Sequence, residues 1–243
     1  MKEIILDSLL ELLSMVYCND QSILHKELKA ALDQRSKQFI ITANPEIITL
    51  GSENPNMNRA FHDCTIITAD GVGVEKAINW KLKTKCSRNT GIDIATYLLQ
   101  LGNQTRKTLY LYGASKEVLD DLLDKISKEY PDLKVVGAID GYNHDFKKIK
   151  DDIIKAQPDL LLVAIGAPNQ EIFIDSCFRE IDHGICIGIG GAFDVLSGHT
   201  NRAPEFFVKH NLEWLYRITK EPKRIKRFWK GNILFFVKLA FQK

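Results

Sequence analysis

The segment from Asp159 to Ile165 is almost uninterruptedly apolar, and it restricts the possible folds of this chain more than any other stretch. Its length and its Leu and Val content are typical of a β-strand. Apolar residues that run continuously, rather than at every second position, indicate a strand buried on both faces, as in a parallel sheet with helices on each side. We therefore expect an α/β fold.

The rest of the chain alternates in the same way between strand-like and helix-like segments. This alternation predicts a doubly wound, mostly parallel, Rossmann-like sheet with right-handed crossovers. The strands are expected at 37–43, 64–69, 107–112, 133–139, 159–165 and 185–189. The helices are expected at 8–16, 22–35, 74–82, 91–101, 116–130 and 145–156, with a further one that begins at Pro168.

Polar residues follow four of the predicted strands at their carboxyl ends, in the clusters 42–46, 70, 166–171 and 190–194. The carboxyl edge of an open α/β sheet is where ligands bind, so this coincidence favours function. Asp70 is the central candidate because it ends an apolar run and precedes Gly71 and Gly73. Its own segment leaves two interpretations open, a structural residue that caps the next helix or fixes the turn, and a catalytic carboxylate.

The turns after two other strands carry weaker signals. Pro45 suits the first turn of a helix, and Asn44 suits its cap. Gly113 stands between a strand and a helix that begins near Lys116, a succession that can cradle a phosphate on free backbone N–H groups. The same glycine is equally typical of a plain tight turn.

Several cofactor motifs are missing from the sequence. No strand is followed by G-x-G-x-x-G, which disfavours a dinucleotide oxidoreductase, and no G-x-x-x-x-G-K-[ST] loop occurs. There is also no D-x-D pair of the kind that holds a divalent ion on a sugar nucleotide. We therefore expect no metal and no cofactor, and a bound diphosphate would be held by arginines and backbone amides.

The five cysteines are an odd number without C-x-x-C spacing, so neither a zinc site nor a disulfide framework is expected. A reducing cytoplasm fits this usage best. Acidic residues interrupt the N-terminal segment too early for a signal peptide, and no apolar run is long enough for a membrane-spanning helix. The expected location is the cytoplasm.

The net charge of +2 hides an asymmetry along the chain. Residues 220–243 carry eight Lys or Arg against one Glu, whereas the preceding residues carry 25 basic and 30 acidic side chains. A helix is expected at 205–220, Pro222 interrupts it, and a second amphipathic helix follows from Lys223. A basic tail on an acidic globule is typical of a segment that seeks an anionic surface.

The composition of the tail suggests the kind of surface. Aromatic and aliphatic residues alternate with the basic ones, which favours an interfacial helix on an anionic membrane over a nucleic-acid contact. A terminal helix docked on its own domain or on a partner subunit is the alternative. Arg217, Arg224 and Arg227 have spacings that would stack them on one side of a continuous helix, where they could grip phosphate or simply face solvent.

Six short motifs then occur in a fixed order along the chain. They are Thr-Ala-Asn-Pro-Glu at 42–46, Ala-Asp-Gly-Val-Gly at 69–73, Gly-Ala-Pro-Asn-Gln-Glu at 166–171, Gly-Gly-Ala-Phe-Asp at 190–194, Arg-Ala-Pro at 202–204 and Leu-Glu-Trp-Leu-Tyr-Arg at 212–217. With these motifs the chain, from about Phe39 to Phe228, resembles the WecG/TagA/CpsF glycosyltransferases, bacterial enzymes that add a sugar to an undecaprenyl-diphosphate-linked acceptor. One departure is Asn89-Thr90, where the family pattern has a hydrophobic or Val-Pro-like pair.

The resemblance assigns roles to individual residues. It implies that Asp70 is the catalytic base of an inverting transfer and that Thr42, Asn44, Arg88 and Gln170 line the pocket. It also implies that Arg217, Arg224 and Arg227 meet the lipid diphosphate at the membrane. Two further residues are candidates for substrate binding because of their positions alone. They are Glu171, in the first turn of the helix that begins at Pro168, and Gly113.

The resemblance also implies a division of the chain into an α/β catalytic domain at 1–204 and a C-terminal helical membrane-targeting appendage at 205–243. The implied activity is transfer of N-acetylmannosamine from UDP-N-acetylmannosamine to GlcNAc-diphosphoundecaprenol, as in teichoic acid linkage-unit synthesis. The enzyme would then be peripheral on the inner face of the cell membrane, and a homodimer is plausible.

Other functions remain as alternatives. Relatives of this type use N-acetylmannosaminuronate or glucose donors for capsule or exopolysaccharide synthesis. A non-catalytic, membrane-recruited nucleotide-binding module would keep the basic tail without needing Asp70, and turnover of a UDP-sugar distinguishes it from an enzyme. No nucleic acid is expected as a partner.

Overall fold

A computed structural model describes residues 6–142, 145–201, 203–204, 206–207, 213, 215–216 and 224–242, with the backbone alone described at 224–230. The six strands are β1 Lys37–Ala43, β2 Ile66–Ala69, β3 Thr108–Gly113, β4 Lys134–Ile139, β5 Leu160–Ala164 and β6 Gly184–Gly188. The helices are α1 Leu9–Ser14, α2 Gln21–Asp33, α3 Pro45–Glu53, α4 Pro55–Asp63, α5 Val72–Lys81, α6 Gly91–Gln104, α7 Lys116–Glu129, α8 Phe146–Ala156, α9 Asn169–Phe178, α10 Ala192–Leu196 and α11 Arg224–Ala240.

The strands form one sheet in the order β2-β1-β6-β5-β3-β4, and every neighbouring pair is parallel. The doubly wound, Rossmann-like α/β fold expected from the alternation is thereby confirmed. In this order the ends of β2, β1, β6 and β5 stand next to one another. Three of the four polar clusters thus follow adjacent strands β2, β1 and β6, and the fourth follows β5 beside them.

Each central strand supplies side chains to both faces of the sheet. In β5, Leu161 and Val163 belong to one hydrophobic cluster, whereas Leu160 and Leu162 belong to the other. The first cluster packs α1, α3, α4, α5, α8, α9 and α11 on one face, and the second packs α2, α6, α7 and α10 on the opposite face. This two-sided burial is why β5 has no polar alternation in its sequence.

The last helix packs on the α/β unit at its C-terminal end. Phe235 and Leu239 of α11 are fully buried in the first cluster. The Gln242 side chain accepts from the backbone N–H of Leu10 at 3.0 Å, and Lys81 Nζ donates to the carbonyl of Gln242 at 2.6 Å. The alternative of a terminal helix docked on its own domain therefore describes the end of α11. Among the described helices, none is long and apolar enough to cross a bilayer.

The expectation of no disulfide was wrong, because Cys18 and Cys86 are bonded. The two cysteines are 68 positions apart in sequence, and their Cα atoms are 4.2 Å apart. Their loops meet because both run beside the outer strand β2, where Tyr17 pairs with Thr68 and Arg88 with Ala69. The spacing of the cysteines along the chain does not predict that these two loops meet.

Candidate active site

The turn after β2 holds Asp70 at the carboxyl edge of the sheet. The backbone N–H of Asp70 donates to the carbonyl of Ala43 at 2.8 Å, which continues the pairing of β2 with β1. The N-cap of α5 is Gly71, with φ of 108°, and no side chain caps this helix. Asp70 is therefore not the N-cap of α5.

The turn after β1 places Asn44 beside Asp70, because Ala43 and Ala69 are paired in register. Asn44 caps α3 as expected, and its Oδ1 accepts from the N–H of Ile47 at 3.0 Å. The cap uses the side-chain oxygen and leaves the amide nitrogen as the group able to donate to a ligand. Thr42 is buried, and its hydroxyl donates to the carbonyl of Gly188 at 2.9 Å, so it joins β1 to β6 beneath the site.

The first turn of α9 brings Gln170 under the end of β6. Gln170 Oε1 accepts from the N–H of Gly190 at 3.1 Å, and its Nε2 donates to Glu171 Oε1 at 2.8 Å. A Cβ at position 188 would lie 2.8 Å from Gln170 Nε2, so Gly188 makes room for this side chain. Both ends of the Gln170 amide are thereby fixed, which sets its orientation.

Glu171 is a buried carboxylic acid next to this amide. Its side chain is almost entirely buried, and within the described residues its Oε2 atom has no hydrogen-bond partner. Burial, partly offset by the hydrogen bond from Gln170, raises the pKa of the Glu171 carboxyl to about 7. This group is therefore partly protonated at neutral pH, and its visible contact is with Gln170, which it holds in place.

Arg88 comes from a loop that is tied to the edge of the sheet. Its backbone pairs with Ala69, and the next N–H, that of Asn89, donates to the Ala69 carbonyl at 3.1 Å. The Cys18–Cys86 disulfide and a bond from Ser87 N–H to the Cys18 carbonyl, 3.1 Å long, fix the same loop from outside. The backbone of Arg88 therefore lies beside Ala69, the residue that precedes Asp70.

The Asn89-Thr90 departure from the family pattern has a local explanation. Asn89 is buried, and its Nδ2 donates to the carbonyl of Asn19 at 3.1 Å. Thr90 is the N-cap of α6, and its hydroxyl accepts from the N–H of Asp93 at 3.3 Å while donating to the Asp93 carboxylate at 2.6 Å. The two residues fasten the loop to Asn19 and to the first turn of α6.

Glu213 joins these groups from the C-terminal part of the chain. Its Oε2 lies 3.1 Å from a terminal guanidinium nitrogen of Arg88. A small pocket of about 50 Å³ is lined by Asp70, Thr90, Ile92, Ile189, Ala192 and Glu213. Sequence reasoning missed Glu213 and Thr90 as site residues, although Glu213 stands inside the Leu-Glu-Trp-Leu-Tyr-Arg motif. That motif was the available signal.

The structure gives Gly113 a packing environment at some distance from this pocket, across β5 and β6 from β1. Its φ is 134°, and a Cβ there would lie 2.4 Å from the Ala164 backbone. The N–H of Ala114 donates to the Ala164 carbonyl at 3.0 Å, and Ser115 caps α7 at the N–H of Val118. The N–H groups of Ala114 and Val118 are therefore engaged within the protein.

The structure describes the three arginines that were predicted to bind phosphate to different extents. Arg217 lies outside the described residues. Arg224 and Arg227 belong to the first turns of α11, where only the backbone is described. In the part of the chain that the structure describes, no three His, Cys, Asp or Glu side chains form a group that could hold a metal ion.

The carboxyl edge of the sheet thus combines a carboxylate on a backbone-fixed turn, which lines the pocket, with a guanidinium and side-chain amides on the neighbouring turns. A carboxylate so placed can accept a proton from a hydroxyl, and a guanidinium can stabilise a phosphate. This is a set of groups suited to transfer between a hydroxyl and a phosphorylated substrate.

Comparison with known proteins gives a family for this arrangement. The model of the glycosyl transferase WecG/TagA/CpsF family matches residues 14–243. The N-acetylglucosaminyldiphosphoundecaprenol N-acetyl-beta-D-mannosaminyltransferase of Bacillus spizizenii is 37% identical over 196 residues, which cover 81% of this chain and 76% of the relative.

Two further relatives carry the same enzyme name. The protein of Bacillus subtilis strain 168 is 37% identical over 199 residues, which cover 82% of this chain and 78% of the relative. The protein of Staphylococcus aureus strain MW2 is 29% identical over 207 residues, covering 83% and 79%. The chain therefore belongs to the WecG/TagA/CpsF family of glycosyltransferases.

Proposed function

We propose that this glycosyltransferase moves N-acetylmannosamine from UDP-N-acetylmannosamine to GlcNAc-diphosphoundecaprenol. The observation that carries the proposal is the pocket in which Asp70, not used as a helix cap, lies at the sheet edge near the Arg88–Glu213 pair. The names of the relatives supply the acceptor and the sugar. Donors with N-acetylmannosaminuronate or glucose, for capsule or exopolysaccharide, are the alternatives within the family.

The reaction we propose is a direct displacement with inversion. Asp70 takes the proton of the acceptor hydroxyl as the hydroxyl oxygen attacks the anomeric carbon, and the bond from that carbon to UDP breaks on the opposite face. Asn44 orients the sugar, while Gln170 and Thr42, which are buried and bonded within the protein, hold the ends of the strands under it. Arg88 stabilises the charge of the leaving diphosphate.

The C-terminal arginines complete the proposed site. Arg217, Arg224 and Arg227 would hold the lipid diphosphate where it leaves the membrane surface, with guanidinium groups in place of a metal ion. This accords with the lack of a D-x-D pair in the sequence.

The test is transfer from a panel of UDP-sugars to a short-chain GlcNAc-diphosphate lipid, with and without EDTA. We expect activity with UDP-N-acetylmannosamine that EDTA leaves intact. Asp70→Asn should reduce kcat by at least about 100-fold while leaving the fold intact. Asp140→Asn is the matched control, because Asp140 also follows a parallel strand but at β4, on the far edge of the sheet. Near-wild-type turnover by Asp70→Asn would remove Asp70 from the role of base.

We further propose that α11 holds the enzyme on the cytoplasmic face of an anionic membrane. Its outer face exposes Ile233, Leu234 and Val237, and Phe241, just beyond its end, has 85% of its surface accessible. Trp80 is also exposed, and its ring centroid lies 6.5 Å from that of Phe236 on the same helix. Basic residues dominate the preceding turns in sequence, so apolar and cationic groups occur together as in interfacial helices.

Vesicle flotation tests this proposal. The double variant Ile233→Ser, Val237→Ser should lose most of its binding to phosphatidylglycerol vesicles, because it removes apolar side chains that the fold leaves exposed. Ile23→Ser is the control, since Ile23 is an exposed apolar residue on α2, which packs on the opposite face of the sheet. Unchanged flotation of the double variant would show that α11 is not the anchor.

A further inference from the structure

We propose that Cys18 and Cys86 are positioning residues that act through Arg88, and that opening and closing of their disulfide makes sugar transfer depend on the redox state of the surroundings. This inference rests on the proposed function, because it takes Arg88 as the group that stabilises the leaving diphosphate. It adds a reversible control on the placement of that group.

The disulfide lies next to Arg88 along the chain and along the sheet. Cys86 precedes Arg88 by two positions, and Arg88 pairs with Ala69 on the outer edge of β2. Cys18 lies on the segment between α1 and α2, which runs beside the same edge. The covalent bond therefore joins the loop that carries Arg88 to a neighbouring segment at the sheet edge.

Three hydrogen bonds hold the same loop without a covalent link. The N–H of Ser87 donates to the carbonyl of Cys18, and the N–H of Asn89 donates to that of Ala69, both at 3.1 Å. The Asn89 side chain donates to the carbonyl of Asn19 at 3.1 Å. Such bonds open one at a time, because each contributes little net free energy. After reduction they would keep the two sulfurs near each other, so that the disulfide can form again.

The loop enters the core at the disulfide. Residues 83–85, which lead from α5 to Cys86, are exposed, whereas Cys86 itself is buried. Without the covalent bond, the backbone on both sides of Arg88 gains freedom, and the guanidinium is no longer fixed relative to the diphosphate. Stabilisation of charge that develops in the transition state falls steeply with misplacement, so kcat should fall more than KM rises.

The remaining cysteines are poor candidates for redox chemistry. Cys64, Cys177 and Cys186 are free. Burial raises the pKa of the Cys64 and Cys177 thiols to about 12, and it raises the pKa of the Cys186 thiol as well. All three therefore stay protonated at neutral pH, and a thiol reacts far more slowly than a thiolate. A redox response of this chain is accordingly assigned to the bonded pair.

The chemical step is a thiol–disulfide exchange in which a dithiol is the reductant. Cys18 is partly exposed and Cys86 is buried, so a thiolate of the dithiol attacks the Cys18 sulfur, and the Cys86 sulfur leaves and takes a proton. The second thiolate of the dithiol then displaces the Cys18 sulfur, which also takes a proton. Two electrons pass to the protein, and the dithiol becomes a disulfide. Disulfides in a reducing cytoplasm are typically of this reversible kind.

Sugar transfer by the full chain in dithiothreitol buffers of graded redox potential tests the proposal. Alkylation and mass spectrometry measure the oxidised fraction of the Cys18–Cys86 pair in the same samples. Reduction of the pair should lower kcat by about tenfold and change KM for UDP-N-acetylmannosamine by less than about twofold, and reoxidation should restore kcat. A constant kcat, a change of kcat at a different potential, or a pair that stays reduced at every potential overturns the proposal.

Substitutions assign the effect to the pair and to Arg88. Cys18→Ser and Cys86→Ser should each have the low kcat at every potential, whereas Cys64→Ser, the matched control at a free cysteine, should respond like the wild type. In an Arg88→Gln background, reduction should change kcat by less than about twofold, because the positioned group is gone. A disulfide with a purely structural role would lower kcat equally in both backgrounds. Thermal unfolding verifies that each variant is folded at the assay temperature.

Hydrogen exchange of the loop separates this proposal from the proposed function, because it needs no substrate. Reduction should speed exchange at the N–H groups of Ser87 and Asn89 by at least about tenfold, and unchanged exchange overturns the proposal whatever the activity. If exchange responds but the oxidised wild type turns over no UDP-sugar, the control of the Arg88 loop stands and the proposed reaction fails. If the oxidised wild type transfers the sugar but kcat does not follow the pair, the reaction stands and the redox control fails.

Discussion

The two halves of the candidate site are built by different kinds of contact. The sheet-edge half, which carries Asn44, Asp70 and Arg88, is held by backbone hydrogen bonds between neighbouring chain segments. The described residues of the C-terminal half contact the α/β unit through side chains, in the ion pair of Glu213 with Arg88 and in the apolar residues of α11. The first half is therefore fixed by the backbone, whereas the described contacts of the second depend on individual side chains.

Helix α11 has both a buried and an exposed apolar face. Phe235 and Leu239 are as buried as the central strands, while Ile233 and Val237 are exposed on the other side of the same helix. Amphipathic character in the sequence cannot separate a docked helix from an interfacial one, because both have one apolar side. This helix is docked through one apolar face and still exposes a second.

The largest expected effect tests whether the end of α11 belongs to the core. Phe235→Ala should reduce the free energy of unfolding by about 3–5 kcal/mol, the loss typical of a fully buried phenylalanine. Phe61→Ala, in α4 and in the same hydrophobic cluster, is the reference and should lose a similar amount. Urea denaturation measures both. A loss below about 1 kcal/mol for Phe235→Ala alone would mean that α11 is a detachable appendage.

The next effect sharpens the description of the sheet-edge half, through Glu171. Its pKa is raised from 4.5 to about 7, so the folded protein holds the proton more tightly than the unfolded chain does. The associated stability is present below pH 4.5 and is lost as the pH rises through 7. Relative to Glu171→Gln, the wild type should lose up to about 3 kcal/mol of unfolding free energy over this window.

Chemical denaturation at a series of pH values measures this difference. Glu117→Gln is the control, because it removes the same charge from an exposed position in the first turn of α7. If the stabilities of the wild type and Glu171→Gln run parallel from pH 4.5 to 8, the Glu171 carboxyl is not held in the way its burial indicates.

The smallest effect separates the two roles of Asn44. Asn44→Ala should lose about 1 kcal/mol of stability with the α3 cap, and Asn44→Ser should recover most of it because serine also caps helices. Neither variant keeps the side-chain amide, so both should be defective in sugar transfer. Thermal unfolding and transfer rates are compared for the pair. Full activity in Asn44→Ser would limit Asn44 to capping.

Much of the fold was predictable because its signals are local. The continuous apolar run predicted β5 and its two-sided burial, and β1 was predicted at the residues where it occurs. The cap of α3 at Asn44 and the helix that follows Pro168 were also predictable, since capping and proline preferences act within one turn.

The parts that escaped prediction depend on residues far apart in sequence. The Cys18–Cys86 disulfide joins two loops that meet only along the outer edge of β2. The contact of Glu213 with Arg88 spans more than a hundred positions. The raised pKa of Glu171 comes from its burial, which no residue in its own segment specifies.

By itself, the sequence determined the family of this protein, its parallel α/β architecture and the carboxylate that ends the second strand. These follow from short motifs and from apolar periodicity, which are written in neighbouring residues. Only the tertiary structure decided that Asp70 is not a helix cap, that Glu213 forms an ion pair with Arg88, and that α11 has one face in the core. Each of these depends on which strand ends and helix faces come to lie together, and that is fixed by packing over the whole chain.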